Sequence, residues 1–152
     1  MYLKRYAQAL LPEPDLTVSE WADEYRILDQ GSSSEPGRWR TDRTPYLREI
    51  MDSLSSRSDD DVIVFMKGAQ VGATEAGNNW LGYVIHHAPG PMLYVMPTVD
   101  SAKRASKQRI GPMLDSIPEV AAKVATPRAR DSGNTLFQKD YPGGTLILTG
   151  SN

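Results

Sequence analysis

The residues Val62-Ile63-Val64-Phe65-Met66 form an unbroken apolar run that passes directly into Lys67-Gly68-Ala69-Gln70-Val71-Gly72-Ala73-Thr74-Glu75. An apolar run without alternation reads as a strand buried on both faces, and such strands belong to parallel sheets flanked by helices. A buried strand, small residues whose backbone N–H groups can close on an anion, a lysine, a hydroxyl and a helix N-terminus are the parts of a phosphate-binding loop. They occur here in that order. The spelling departs from the usual one, in which a lysine precedes the final Ser/Thr: Ala73 occupies that position, and Lys67 stands where the first glycine would be. From there its four-carbon stem can still reach the β- and γ-phosphates, while Thr74 keeps the hydroxyl position for Mg²⁺. A plain βα turn, with Gly72 for packing and Thr74 as N-cap, is the competing reading. It leaves unexplained why Gly68, Ala69, Gly72 and Ala73 all lack bulk beside one lysine. The ligands expected on this basis are a nucleoside triphosphate and Mg²⁺.

The flanking pattern supports an α/β architecture. Trp80, Leu81, Val84 and Ile85 recur at helical spacing in a helix expected over 74–87, which Pro89-Gly90-Pro91 stops. Met92–Met96 reads as a second buried strand. A helix capped by Thr98 is expected to run to about Leu114, with a break or kink at Gly111-Pro112. Strand and helix therefore alternate, the order that implies a parallel sheet with right-handed crossovers. Thr135–Lys139 and Thr145–Thr149, joined around Tyr141-Pro142-Gly143-Gly144, read as a hairpin or two adjoining strands. Upstream, Thr44 and Pro45 open a helix with Tyr46, Leu47, Ile50 and Leu54 on its apolar face, and Gly31 to Gly37 is a loop by composition. Residues 1–35 are read as an N-terminal arm suited to docking a partner, with a helix starting at Thr17 or Ser19; residues 36–152 are read as the domain that carries the phosphate loop.

Composition sets outer bounds. An apolar share of 39% and a charged share of 24% over 152 residues suit one soluble domain. Without cysteine there are no disulfides or thiolate metal sites. No apolar run reaches the roughly 18 to 20 residues of a membrane span, and Met1–Arg5 does not begin a signal segment. The net charge of −2 is unevenly spread: residues 101–130 carry seven basic residues (Lys103, Arg104, Lys107, Arg109, Lys123, Arg128, Arg130) against Asp115 and Glu119, a balance of +5. Such a stretch meets phosphate or forms a solvated helix face. Asp59-Asp60-Asp61 precedes its strand and reads as a solvated turn, and His86 and His87 read as residues closing a helix.

With the displaced lysine in place, the sequence resembles the large subunit of tailed-phage DNA terminases of the lambda-like class. The likeness extends through Gly37-Arg38-Trp39, Thr44-Pro45-Tyr46, Val64 to Gly72, Pro89, Pro97-Thr98, Arg109 to Leu114, Gly143-Gly144 and Gly150-Ser151-Asn152. It implies a P-loop NTPase that drives viral DNA into a preformed capsid, with double-stranded DNA, a small terminase subunit, the portal and further copies of itself in a motor ring as partners, acting in the host cytoplasm. By the same resemblance Lys67 binds the β/γ-phosphates, residues Gly68, Ala69, Gln70, Val71, Gly72 and Ala73 supply backbone donors, Thr74 ligates Mg²⁺, and Tyr46 sits near adenine. Lys103, Arg104, Lys107 and Arg109 fall on a helix that in related motors faces DNA or a neighbouring subunit.

Two departures qualify the resemblance. Some relatives carry an arginine at the position of Gln70, and glutamine cannot serve as a charge stabiliser, so an arginine from elsewhere is needed if the motor uses one. The acidic residues that end a later strand and hold Mg²⁺, and the aspartates of a nuclease domain, are expected beyond Asn152, so the chain is read as the N-terminal part of the domain and as weak or inactive alone. A helicase-like ATPase and a non-catalytic module that docks a terminase partner are the competing functions.

Overall fold

The computed structural model describes residues 14–31, 35–124 and 133–152. The first thirteen residues of the arm, Ser32–Ser34 of the serine loop, and Arg128 and Arg130 of the basic stretch lie outside the described residues.

The chain enters through helix α1 (Val18–Tyr25), which starts where a capping box fixes it: the Glu20 amide donates to Thr17 Oγ1 at 3.3 Å, and the Thr17 amide donates to Glu20 Oε2 at 2.8 Å. Two short antiparallel strands follow, β1 (Ile27–Leu28) and β2 (Gly37–Arg38), then a 3-10 turn (Thr41–Arg43). Helix α2 (Tyr46–Ser53) buries Leu47 and Met51. It begins one residue later than expected, with Pro45 as N-cap, and the Thr44 hydroxyl makes no cap bond. The 3-10 turn just upstream already commits Thr44's backbone, whose amide donates to the Thr41 carbonyl at 3.0 Å.

Helix α3 (Ala73–His86) is the centre of the helical layer. α1, α2 and the short α6 (Pro118–Ala121) pack on it. Trp21 is fully buried and lies so close to Gly82 that a Cβ there would come within 2.3 Å of the indole, so this position admits no side chain. The indole N–H donates to His86 Nδ1 at 2.9 Å, and His87 Nε2 accepts from the Leu16 amide at 3.2 Å. The two histidines expected merely to close the helix thus tie it to the N-terminal segment.

The sheet has three strands in the order β3 (Met92–Met96), β5 (Gly144–Gly150), β4 (Gln138–Tyr141). β3 and β5 are parallel, with Met92 opposite Leu146 and Met96 opposite Gly150, while β4 and β5 form the expected hairpin. Met92, Leu146 and Leu148 face the core shared with α3, whereas Leu93, Val95 and Ile147 lie on the other face and are exposed. α4 (Val99–Ala105) packs on β3 and β5. Its Thr98 cap accepts from the Ser101 amide at 3.1 Å.

After α4 the helix widens to an i→i+5 turn over Ser106–Ile110 before α5 (Gly111–Ser116). The cause is Pro112, which has no N–H to give Gln108; the Gly111 amide instead donates to the Ser106 carbonyl. The break expected at Gly111-Pro112 is therefore a widening that precedes the proline.

One expectation fails. Val62–Met66 joins no sheet among the described residues. Val62, Val64 and Met66 are 79%, 85% and 95% exposed, while Phe65 packs partly against the core. A strand buried on both faces needs a bonded neighbour and a layer on each side. Here β3 bonds only to β5, and the run meets protein on the Phe65 side alone, so its apolar residues divide by the two-residue period of an extended chain.

Candidate functional site

The segment between the apolar run and α3 holds two residues in the left-handed region: Gln70, at φ 57°, and Gly72, at φ 79°, which is also the N-cap of α3. Glycine accepts that conformation freely; for glutamine it costs on the order of 1 kcal/mol. This turn leads into the positive end of a 14-residue helix. A Cβ at Gly68 would meet nothing within 4 Å, so the outer side of the loop is open.

Two clefts meet at this junction. One, of about 380 Å³, runs along Gln70, Val71 and Gly72 and is walled by Trp39, Thr44 and Tyr46, with Arg38, Arg40 and Arg43 at its border. The Trp39 indole is held by Thr41 Oγ1 at 3.0 Å, and the Thr41 amide by Asp23 Oδ1 at 2.6 Å, which anchors this wall to α1. Thr44 Oγ1 is buried with no hydrogen-bond partner among the described residues, so the wall carries an unsatisfied hydroxyl. The second cleft, of about 420 Å³, lies at the C-terminal end of β3. It is lined by Thr74, Tyr94, Met96, Ser101, Arg104 and Arg109, among others.

The first turn of α3 is fixed from below. Arg26, at the end of α1 and with its side chain 1% exposed, donates to Glu75 Oε2 at 2.8 Å and to Asn79 Oδ1 at 3.1 Å, and a third bond goes to the Ile27 carbonyl. Burial lowers the Arg26 pKa, and the Glu75 carboxylate opposes that shift. In the second cleft, burial raises the pKa of the Tyr94 hydroxyl, Arg109 draws it down and Glu75 pushes it up. Both charges therefore act on the same phenol.

The residues expected to form the site are divided by the fold. Gln70, Val71 and Gly72 line the first cleft together with Tyr46, which is 55% exposed and presents its ring to it; Thr74 lines the second. Lys67, Gly68 and Ala69 are exposed and line neither, with Lys67 Nζ 3.5 Å from the Gly68 carbonyl. Of the four basic residues on the α4 to α5 helix, Arg104 and Arg109 face the Thr74 cleft, and Lys103 and Lys107 are exposed elsewhere. Arg26, Thr44 and Tyr94 were not visible as site residues in the sequence. Arg38, Arg40 and Arg43 had one available signal, three guanidinium groups within six positions beside Trp39.

The polar inventory suits a nucleotide: an aromatic and an unsatisfied hydroxyl in one cleft, a hydroxyl and two guanidinium groups in the other, and a helix N-terminus between them. Among the described residues no helix is long and apolar enough to cross a membrane. No curated protein and no solved structure matches the chain. Residues 33–152 match the family model of the phage terminase large subunit gpA ATPase domain, and the chain belongs to that family, whose role is that of a DNA-packaging ATPase.

Proposed function

We propose that this chain binds ATP·Mg²⁺ across residues 67–74 and uses it to drive double-stranded DNA into a capsid, together with a small terminase subunit, the portal and further copies of itself, while a separate nuclease domain cuts the DNA. The observation that carries this reading is the position of the left-handed Gln70–Gly72 turn between two clefts of complementary chemistry. The base lies against Tyr46 in the first cleft, and the Thr44 hydroxyl acquires a partner there. The phosphates cross the loop, where the amides of Gly68 to Ala73 and the α3 N-terminus receive them. Lys67, exposed and tethered only to a neighbouring carbonyl, turns inward to the β- and γ-oxygens. Thr74 holds Mg²⁺ through its hydroxyl. Held there, Mg²⁺ would supply positive charge to offset the negative charge developing on the phosphates.

The Arg26–Glu75–Asn79 link keeps the first turn of α3 in place while the loop changes ligand. Substituting Thr74→Val tests the reading. It should leave Mg²⁺-free nucleotide binding within about two-fold and remove most of the gain in affinity that Mg²⁺ gives the wild type. Equal Mg²⁺ dependence in both proteins would refute the assignment of Thr74.

A further inference from the structure

The resemblance leaves Gln70 where some relatives have an arginine, and glutamine carries no charge to set against a terminal phosphate. The fold places two arginines in the cleft of the Mg²⁺ hydroxyl. Ser101, Arg104, Ala105 and Gln108 follow one another at the three- and four-residue steps of a single helix face, and all four line that cleft. Arg109, four residues beyond Ala105 and eight beyond Ser101, continues the same face through the widened turn and lines the cleft as well.

Among the described residues neither the Arg104 nor the Arg109 guanidinium has a hydrogen bond or ion pair to a carboxylate, whereas Arg26, Arg43, Arg48 and Arg57 do. Tyr94, which lines the same cleft as Thr74 and Arg109, feels the charges of both Arg109 and Glu75.

We propose that Arg104 and Arg109 contact the terminal phosphate of the nucleotide whose metal Thr74 holds, supplying from α4 and the widened turn the positive charge that Gln70 does not. This rests on the ATP reading given above. An arginine fork suits a phosphate with three equatorial oxygens, and charge placed there stabilises the transferring group rather than the diphosphate that remains. Two neighbouring cations, Lys103 and Lys107, point away from the cleft and serve as internal controls on overall charge.

The experiment is ATP and ADP affinity, each with Mg²⁺ at fixed moderate salt, for the wild type, Arg104→Ala, Arg109→Ala, the double variant and Lys103→Ala/Lys107→Ala. Circular dichroism checks that each is folded, and Arg109→Lys tests for partial rescue. The expected result is a loss of about ten- to a hundred-fold in ATP affinity for the double variant with ADP affinity within about two-fold, and no change in either for the lysine pair. Equal losses for ATP and ADP would overturn the proposal and leave a structural role. So would unchanged nucleotide affinity accompanied by weaker binding to duplex DNA, which would assign the arginines to a DNA surface. A wild type that binds ATP while the variants keep its preference for ATP over ADP refutes this inference alone; a wild type that binds neither nucleotide refutes the ATP reading on which it rests.

Discussion

The helices of the helical layer are half apolar and the run Val62–Met66 that precedes the loop is wholly so, yet it is the layer that the fold buries. In the layer, α1, α2 and α3 bury Val18, Trp21, Leu47, Met51 and Ile85 completely, and the contacts are pinned by directed polar bonds: Trp21 to His86, Val18 to Ser55 Oγ at 2.9 Å, and Arg26 to Glu75 and Asn79. In the run, Val62, Val64 and Met66 face solvent with no strand beside them. Burial depends on what surrounds a segment more than on its own composition. The layer is complete within the described residues, whereas the run lacks its neighbours there.

Substitutions break this comparison at graded cost. Trp21→Ala removes the largest fully buried side chain and the donor to His86, and should destabilise the chain by about 4 kcal/mol, measured by denaturant unfolding. Arg26→Ala leaves Glu75 and Asn79 without their shared partner. Removing one member of a buried ion pair costs roughly 3 kcal/mol, and this change should also raise hydrogen exchange in the first turn of α3. Gly72→Ala forces a Cβ into left-handed backbone 3.1 Å from Leu47 Cδ1, at a cost of about 1 to 2 kcal/mol by the same unfolding assay. Val64→Ser, by contrast, should change stability by no more than about 0.5 kcal/mol, since its side chain is already in water. A larger loss would show that the run is covered in solution.

The smallest effect lies in the hairpin. Thr145 Oγ1 at 2.6 Å and Gln138 Nε2 at 2.9 Å both donate to Asp140 Oδ1, and these bonds lower the Asp140 pKa below its ordinary value. A carboxylate with a folded pKa below its unfolded one contributes stability above the unfolded pKa, and that contribution is lost as pH falls through the folded value. Melting temperature should therefore drop less steeply in Thr145→Val than in wild type between about pH 5 and pH 2.

Local signals were the ones the sequence carried well. Thr17 with Glu20, and Thr98 ahead of α4, are caps that depend on neighbours three residues away, and both form. The strand Met92–Met96 and the hairpin around Pro142-Gly143 followed from composition and turn chemistry, but the strand, expected to be buried, is covered on one face only, with Leu93 and Val95 exposed on the other. Partnership over long separations was hidden. Nothing near Arg26 indicates that it meets Glu75 and Asn79, some fifty residues on, and nothing near His86 indicates Trp21. For the site, the loop was singled out from its small residues and displaced lysine and Tyr46 from the resemblance, whereas the division into two clefts was not visible in the sequence. The basic residues behave likewise: Lys103, Arg104, Lys107 and Arg109 read as one stretch, but only Arg104 and Arg109 line the Thr74 cleft.

The central claim is that residues 67–74, with their lysine at the start of the loop, hold ATP·Mg²⁺. Calorimetry on the wild type and Lys67→Ala at fixed moderate salt tests it most directly. The account predicts that the wild type binds and that the variant loses roughly 1.5 to 3 kcal/mol, the cost of removing a charged hydrogen-bond partner; equal binding by both, or binding by neither, would contradict it.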